Sequence, residues 1–309
     1  MQPTLTSLST FPHKTMNMKL KCVFTLLLAI VSLSMHAQLR YGFKTGLNFA
    51  TIRGESELGV GGTSLENWEN ITGFQIGITL GFPITDNFGI RGELMYSKKG
   101  AKYTFDGPSY RFFRNANTVK FTTGNSKYLI NVNNSYIDFP VMAYARWKSF
   151  EISGGAYAAL LVQSVGEGAL TYSNAISVVP PNNPVAEVKV NLSHNYRKDD
   201  VGEGTAGETV SVQVDAAKFD ILKTQGAYYD YTEDRGSLYN SLDYGLVGGV
   251  SYFLSSALYV NVRLQYGLAD LTKNEADLSK GAVGDDLSLQ YRNDNDRNFT
   301  VQASVGFSF

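Results

Sequence analysis

Apolar and polar residues alternate in several separate segments of the chain. In the last one, NFTVQASVGFSF (298–309), every odd position is apolar and every even position is polar or glycine. A period of two places these two classes on opposite faces of a β-strand. Seven further segments alternate in this way: 41–52, 74–82, 88–97, 136–145, 150–163, 243–254 and 258–268. The pattern therefore predicts an all-β protein with eight strands.

The connections between these segments are long and short in strict turn. The short ones are 83–87, 146–149 and 255–257, and the long ones are 53–70, 98–135, 164–242 and 269–297. A tilted strand of about 9–11 residues crosses a bilayer. Outer-membrane barrels join such strands by short periplasmic turns and long extracellular loops. We therefore expect an antiparallel up-and-down transmembrane β-barrel with both termini in the periplasm.

Aromatic residues collect at both ends of the predicted strands, as they do at the two interfaces of a membrane. Beside the short turns and the termini lie Tyr41, Phe43, Phe82, Phe88, Tyr144, Trp147, Phe150, Tyr252, Tyr259, Phe307 and Phe309. At the opposite ends lie Phe49, Phe74, Tyr96, Tyr136, Tyr244, Tyr266 and Phe299. Rings that fill the core of a soluble sandwich have no reason to sort in this way. The two belts favour a membrane barrel.

In such a barrel the odd residues of 298–309 face lipid and the even ones face the lumen. The last strand is expected to pair with the first, because an unpaired edge is not tolerated in hydrocarbon. A terminal aromatic residue on an amphipathic last strand resembles the signal that the outer-membrane assembly machinery recognises. Phe309, supported by Phe307, is expected to carry this signal.

A basic segment and a short apolar run near the start have the pattern of a cleaved secretory signal peptide. The run is VFTLLLAIVSL (23–33), and small residues follow it, so cleavage is predicted between Ala37 and Gln38. Translation is predicted to start at Met16 or Met18, because the residues before them add nothing that such a signal needs. A buried helix is the alternative for the apolar run.

This prediction divides the chain into two parts, an N-terminal extension with the signal peptide (1–37) and a barrel domain (38–309).

The lone cysteine, Cys22, precedes the apolar run, where a lipoprotein cysteine cannot be. The mature protein is therefore expected to have no disulfide and no cysteine nucleophile. A net charge of −1 gives no reason to expect a nucleic-acid partner.

Several strand segments resemble a known family. They are GFKTGLNFATI (42–52), YIDFPVMAYARW (136–147), DYGLVGGVSYFL (243–254), LYVNVRLQYGLADL (258–271) and the terminal strand. Together they resemble the PorT-type outer-membrane β-barrel family of the Bacteroidota. The resemblance implies this fold and a Gram-negative outer-membrane location, and it brings no catalytic residue or cofactor. Some relatives are linked to protein secretion or gliding. The family-like Y-x-x-F-P pattern also suggests a tolerated β-bulge or bend at Pro140, and a functional kink is the alternative.

The few reactive groups of the sequence predict that the protein is not an enzyme and has no cofactor or metal. After cleavage His194 is the only histidine, and neighbours on an extended segment such as Ser193 point away from it. We expect a surface histidine there. The segment RNDNDRN (292–298) lacks the glycine and glutamate of an EF-hand loop and is expected to be a solvated acidic loop.

The long connection 164–242 contains two alternating segments, AEVKVNL (186–192) and ETVSVQVDA (208–216). We expect them to form one hairpin that projects outside the membrane. The alternative inserts them as two more strands and gives a ten-stranded barrel. In either case outer-membrane lipid and the assembly machinery are the expected partners, and 164–242 is the expected contact for an extracellular or envelope protein.

The inward-facing positions carry charges of both signs. By alternation the lumen should contain Lys44, Arg91 and Arg263 with Glu93, Asp138, Glu151 and Asp243. A selective pore would more typically show a ring of one sign, whereas three cations and four anions nearly balance. The sequence therefore predicts a structural or interaction role at the cell envelope without catalytic activity. The alternatives are a small-solute pore and a component linked to protein secretion.

Overall fold

The computed structural model describes residues 39–309, which fold into β-strands and connecting loops. The first eight strands are β1 (Arg40–Arg53), β2 (Glu66–Glu69), β3 (Ile71–Pro83), β4 (Phe88–Arg114), β5 (Val119–Trp147), β6 (Phe150–Ser177), β7 (Pro184–Val185) and β8 (Val188–Asn195). The others are β9 (Thr209–Val214), β10 (Ala217–Leu222), β11 (Thr224–Gln225), β12 (Leu242–Phe253), β13 (Leu258–Gly267), β14 (Leu278–Val283), β15 (Leu289–Tyr291) and β16 (Arg297–Ser308). None of the described residues belongs to a helix long and apolar enough to cross a membrane. The predicted cleavage site at Ala37 and Gln38 lies outside the described residues.

Eight of these strands form a closed ring with antiparallel neighbours throughout. The order around the ring is β1, β3, β4, β5, β6, β12, β13 and β16. The last strand pairs back onto the first, from Gly42 with Ser308 to Arg53 with Arg297. The predicted eight-stranded transmembrane barrel is confirmed. The ten-stranded alternative is wrong, because β8 and β9 do not join the ring.

The outer surface of the ring is apolar, as a surface in contact with lipid must be. Ile78, Leu246 and Val262 are each more than half exposed there. In β16 the even residues from 298 to 306 are buried, while the odd residues between them face outward. The predicted orientation of the last strand is therefore confirmed, and its pairing with β1 satisfies the backbone edge that would otherwise lie in hydrocarbon.

Three rings of the predicted aromatic belts turn into the barrel instead, namely Tyr136, Tyr144 and Tyr259. Two of them lie over glycines of the neighbouring strand: Tyr144 pairs with Gly89, and Tyr259 pairs with Gly306. A Cβ at either glycine would collide with the tyrosine ring. The missing side chain opens the space that each ring fills, which an apolar–polar pattern along one strand does not reveal.

The bulge expected at Pro140 is absent from this part of β5. The register between β4 and β5 is the same on both sides of the proline, from Gly92 with Val141 to Met95 with Asp138. The proline therefore interrupts the ladder without adding a residue, since it lacks the N–H that would donate. A register shift in β5 lies instead at Ser135 and Tyr136, on the side that faces β6.

The strands β4, β5 and β6 continue far beyond the membrane. They have 27, 29 and 28 residues, whereas about 9–11 suffice to cross a bilayer. At roughly 3.3 Å per residue, the projecting parts of these strands, 100–114, 119–133 and 165–177, extend roughly 40–50 Å along the strand direction. The connection 98–135, expected to be a loop, is therefore mostly a continuous hairpin with its turn at 115–118.

The hairpin expected between 186–192 and 208–216 is also wrong. The first segment lies in β8, which adds to the projecting end of β6. The second lies in β9, which pairs with β10. Each segment thus completes a different sheet, because β6 offers a long free edge to β8 outside the membrane, whereas β9 finds a partner two residues further along the chain.

The projecting strands and the long connections fold together into what we call the outer cap. It comprises residues 54–70, 100–133, 165–241 and 268–296. It has an apolar core that includes Phe105, Leu170 and Val190, and the β9–β10 hairpin adds Phe219 against Phe113 at a ring distance of 5.9 Å. Burial of such large side chains contributes roughly 1.5–3 kcal/mol each. The cap therefore has a core of its own.

Candidate functional site

The lumen of the barrel holds its charged residues in three clusters. In the cluster nearest the short turns, Arg91 binds Glu151 with two hydrogen bonds of 2.6 and 3.0 Å. Arg146 approaches the same carboxylate at 2.9 Å. The guanidinium of Arg91 also lies over the ring of Tyr144 at 4.9 Å. Glu151 is completely buried, so two cations compensate one desolvated carboxylate.

Glu93 forms the centre of the second cluster. The ammonium of Lys44 donates to both of its carboxylate oxygens at 2.8 Å, and Arg263 donates to one of them at 2.6 Å. Arg263 is held further by the side-chain oxygens of Gln75 and Gln302. All of these residues are buried, and they come from strands on different sides of the ring. The cluster therefore ties the barrel together across its lumen.

The third cluster lies towards the outer cap. Lys99 and Asp138 form an ion pair of 2.8 Å in which both side chains are fully buried. The rings of Tyr136 and Tyr157 lie 5.1 and 5.0 Å from the same ammonium. Asp243 accepts hydrogen bonds from the hydroxyl of Tyr157 and the amide of Asn298, at 3.0 and 2.9 Å. It forms no ion pair with the described residues.

All seven predicted lumen residues lie in these clusters: Lys44, Arg91, Glu93, Asp138, Glu151, Asp243 and Arg263. Sequence reasoning missed Lys99 and Arg146 because both were assigned to connections. The signal for Lys99 was present, since Arg91, Glu93, Ser97 and Lys99 keep one alternation. Around the second cluster the space between the side chains is too small for a water molecule. The lumen is filled at that level.

The outer cap contains a cavity of about 110 Å³ that is partly open to solvent. Apolar side chains such as Ile130, Leu170 and Leu192 line one part of it, and tyrosines and charged groups line the rest. The ammonium of Lys280 lies 5.5 and 5.6 Å from the rings of Tyr103 and Tyr128. The cavity thus combines an apolar wall with cationic and phenolic groups, as small-molecule sites commonly do.

His194 belongs to the wall of this cavity and is half-buried, so it is not the surface histidine that the sequence suggested. Its Nδ1 lies 3.1 Å from the hydroxyl of Tyr196. Burial, with the nearby charge of Lys280, lowers the pKa of His194 to about 4, so its ring is neutral at pH 7. Ser193 is exposed on the other face of β8, and the two residues form no dyad.

Acidic residues gather where the β14–β15 hairpin joins the barrel. Carboxylate oxygens of Asp277, Asp294 and Asp296 lie within 4.8 Å of one another. Asp294 and Asp296 are buried, so the expectation of a solvated loop at 292–298 is wrong for these two residues. Burial and the neighbouring carboxylates raise the pKa of Asp296 to about 7, and burial raises that of Asp294 to about 6.

One basic residue bridges part of this cluster. Arg292 donates to both carboxylate oxygens of Glu66 at 2.8 Å, and it also forms an ion pair with Asp294. Glu66 in turn accepts a hydrogen bond of 2.7 Å from the hydroxyl of Tyr103. These contacts join β2, β4 and the segment that leads into β16. Sequence reasoning missed them because the partners are 226 residues apart.

A comparison with protein families finds a match over residues 33–273 to the outer membrane protein beta-barrel domain. The chain belongs to this family. The family and the eight-stranded ring make the chain a β-barrel protein of the Gram-negative outer membrane. The lipid-facing surface of the ring and the filled lumen are thus the two faces of a membrane barrel.

Solved structures similar to this chain are outer-membrane proteins. Ail of Yersinia pestis, in complex with the heparin analogue sucrose octasulfate, is 10% identical, with 88% of this chain and 99% of Ail covered at a TM-score of 0.31. Neisserial surface protein A is 12% identical, with 87% and 97% covered at a TM-score of 0.28. OprG of Pseudomonas aeruginosa is 9% identical, with 89% and 97% covered at 0.28. No curated protein sequence matches the chain.

Proposed function

We propose that this protein is a non-conducting outer-membrane anchor that presents its outer cap for contact with an extracellular or envelope protein. The observation that carries the proposal is the filled lumen, where the cluster around Glu93 leaves no room for water. A barrel of eight strands is just wide enough for side chains to fill. If nothing passes through the barrel, the cap is the part of the protein that can contact a partner.

The construction of the cap favours a rigid surface. Its main sheet consists of the same strands that cross the membrane, β4, β5 and β6, so no flexible joint separates the two parts. Its apolar core fixes the connecting segments that cover the sheet. Preorganised surfaces lose less conformational entropy on binding than flexible loops do. This construction supports a binding role for 164–242 in particular.

We also propose that the protein has no catalytic activity. His194 contacts Tyr196, and the serine beside it in sequence faces the other way. A nucleophile needs a base within hydrogen-bond reach. The lumen carboxylates are held in ion pairs or hydrogen bonds with neighbouring side chains, which supports a structural role for them.

Resemblance of the strand segments to the PorT-type barrels of the Bacteroidota supports a narrower proposal, a component linked to protein secretion. The same proposal includes export through a signal peptide that is cleaved between Ala37 and Gln38. It also includes insertion by the assembly machinery, which would recognise Phe307 and Phe309. A small-solute pore is the alternative. The paired charges of both signs in the lumen argue against a pore, because a selective pore more typically has a ring of charges of one sign.

Site-specific photo-crosslinking in intact cells tests the proposed contact. A photoreactive residue replaces Lys189 on β8 or Val119 at the tip of the β4–β5 hairpin, since both side chains are exposed on the cap. The matched control replaces Asp86 in a short turn, which is equally exposed at the opposite end. We expect adducts of one defined mass from cap positions and none of that mass from Asp86. Adducts from Asp86 alone would contradict the proposal.

A further inference from the structure

We propose that Asp277, Asp294 and Asp296 form a Ca²⁺ site in the outer cap. Asp277 directly precedes β14, and the two other residues lie between β15 and β16. A cation bound by all three would therefore join the two stems of the β14–β15 hairpin at the point where the hairpin meets the barrel. This site is separate from the lumen clusters and from the lipid-facing surface.

The geometry fits one ion of this size. Each aspartate offers one carboxylate oxygen, and the three oxygens lie within 4.8 Å of one another. Ca²⁺ binds oxygen at 2.3–2.6 Å, so ligands on opposite sides of one ion are separated by about 5 Å at most. The three donors are all carboxylates, which suits a hard cation rather than a metal that prefers nitrogen or sulfur.

An orphaned oxygen gives the second observation. The side chain of Asp294 is only 5% exposed. Its Oδ2 forms an ion pair with Arg292, while its Oδ1 is buried and has no hydrogen-bond partner. A buried carboxylate oxygen without a partner is costly. A cation coordinated by Oδ1 and by the neighbouring carboxylates would supply the missing partner.

The balance of charge points in the same direction. Glu66 lies beside the three aspartates, because Arg292 contacts both Glu66 and Asp294. Arg292 is the only basic residue of the described part of the chain that forms an ion pair with any of the four carboxylates. The charge of Lys280 also acts on Asp277. Two cationic groups therefore face four acidic ones in a largely buried region, and a divalent cation would offset the excess negative charge.

Space and orientation complete the site. Asp277 and Asp296 line the 110 Å³ cavity of the cap, which has room for the water ligands that Ca²⁺ needs to reach six to eight oxygens. Thr272 donates a hydrogen bond of 3.0 Å to Oδ2 of Asp296 and so orients this carboxylate. A side chain at Gly54 would collide with the other oxygen of Asp296.

Binding of Tb³⁺, a luminescent substitute for Ca²⁺, to the purified full chain in detergent tests the proposal. Tb³⁺ is excited through nearby tyrosines, and Tyr231 is close, since its hydroxyl donates to the carbonyl of Ala276. We expect saturable luminescence that Ca²⁺ displaces at a concentration of roughly 0.1–1 mM, the range of extracellular Ca²⁺ modules. Asp294→Asn and Asp296→Asn should each weaken binding by more than about tenfold, because affinity follows the ligand charge.

The matched control is Asp285→Asn, which removes an exposed carboxylate of the same hairpin outside the cluster. It should bind Tb³⁺ and Ca²⁺ like the wild type. Heat-modifiable migration in gels checks that each variant barrel is folded, and the wild-type protein with Ca²⁺ should resist proteolysis of the cap better than without it. Absence of saturable binding in the wild type would overturn the proposal. Binding that survives both substitutions in folded protein would overturn it as well.

Discussion

Replacing Glu93 by glutamine removes the charge that holds two cations in the lumen while it keeps the size of the side chain. Lys44 and Arg263 both contact this carboxylate, and all three side chains are at most 2% exposed. In Glu93→Gln the two cations lose their only anionic partner in the cluster. The amide group of glutamine would also point a donor at groups that can only donate.

The expected cost follows from this burial. Removal of one partner from a buried ion pair typically costs 3–5 kcal/mol. Since glutamine retains one acceptor oxygen, we expect a loss of about 3 kcal/mol in the free energy of unfolding. A matched control is Glu187→Gln, because Glu187 pairs with Lys189 while both are exposed. Surface pairs contribute about 0–1 kcal/mol, so this control should unfold like the wild type.

Denaturant unfolding of the purified barrel in detergent, followed by tryptophan fluorescence and by heat-modifiable migration, measures the difference. The double variant Lys44→Met with Glu93→Gln should recover part of the loss, because it leaves one buried cation fewer without a partner. A coupling of about 0.5–3 kcal/mol is usual for contacting residues. If Glu93→Gln unfolds within about 1 kcal/mol of the control, the lumen charges do not stabilise the barrel in the way described.

Three further predictions concern the chain end and the cap. Deletion of Phe309, whose ring stacks on Tyr41 at 5.8 Å, should lower the amount of folded, heat-modifiable barrel in the outer membrane; normal accumulation would refute the role given to the terminus. Cysteine at the exposed Ala206 should react with an impermeant thiol reagent on intact cells, whereas cysteine at Asp86 should react only after the outer membrane is broken. The pKa of His194 falls from 6.5 to about 4 on folding, so burial of its neutral ring is compatible with full stability of the fold above pH 6.5. As the pH falls towards 4, the free energy of unfolding decreases by up to about 3 kcal/mol, because the unfolded chain binds the proton more tightly. Hydrogen exchange of the cap should therefore speed up less on acidification in His194→Gln than in the wild type, and equal acceleration would contradict this.

The barrel could be predicted from the sequence because lipid imposes one rule on every strand that crosses the membrane. Apolar residues must face outward, and the lumen accepts polar ones, so the period of two stands out along each segment. The same rule identified the seven lumen charges. It could not identify Tyr144 and Tyr259 as inward residues, since their rings depend on glycines of the neighbouring strands, such as Gly306 beneath Tyr259.

The cap could not be predicted in the same way because the rule reverses where a strand leaves the membrane. In β4 the inward face is polar at Glu93 and Lys99, and it becomes apolar at Tyr103 and Phe105 on the same alternation. The segment therefore loses its outward apolar face and resembles a loop. The change of face is itself a usable signal, since an inward apolar set on a continuing period of two indicates a core outside the bilayer.

The acidic cluster could not be found from local patterns either. Asp277 is 17 residues from Asp294 in sequence, and the two meet because the β14–β15 hairpin returns the chain to its starting point. The spacing matches no calcium-loop motif. Long-range pairing of Arg292 with Glu66 also depends on the closed ring, which brings both ends of the chain together.

Single-channel recording with the purified wild-type protein in planar bilayers tests the central claim most directly. A porin reconstituted in the same membranes serves as a positive control for insertion and detection. Because the lumen is filled by paired charges at the level of Glu93, we predict no steady conductance steps from folded, heat-modifiable protein. Steady and reproducible steps from the wild type would contradict the account of a closed anchor and favour a transport barrel.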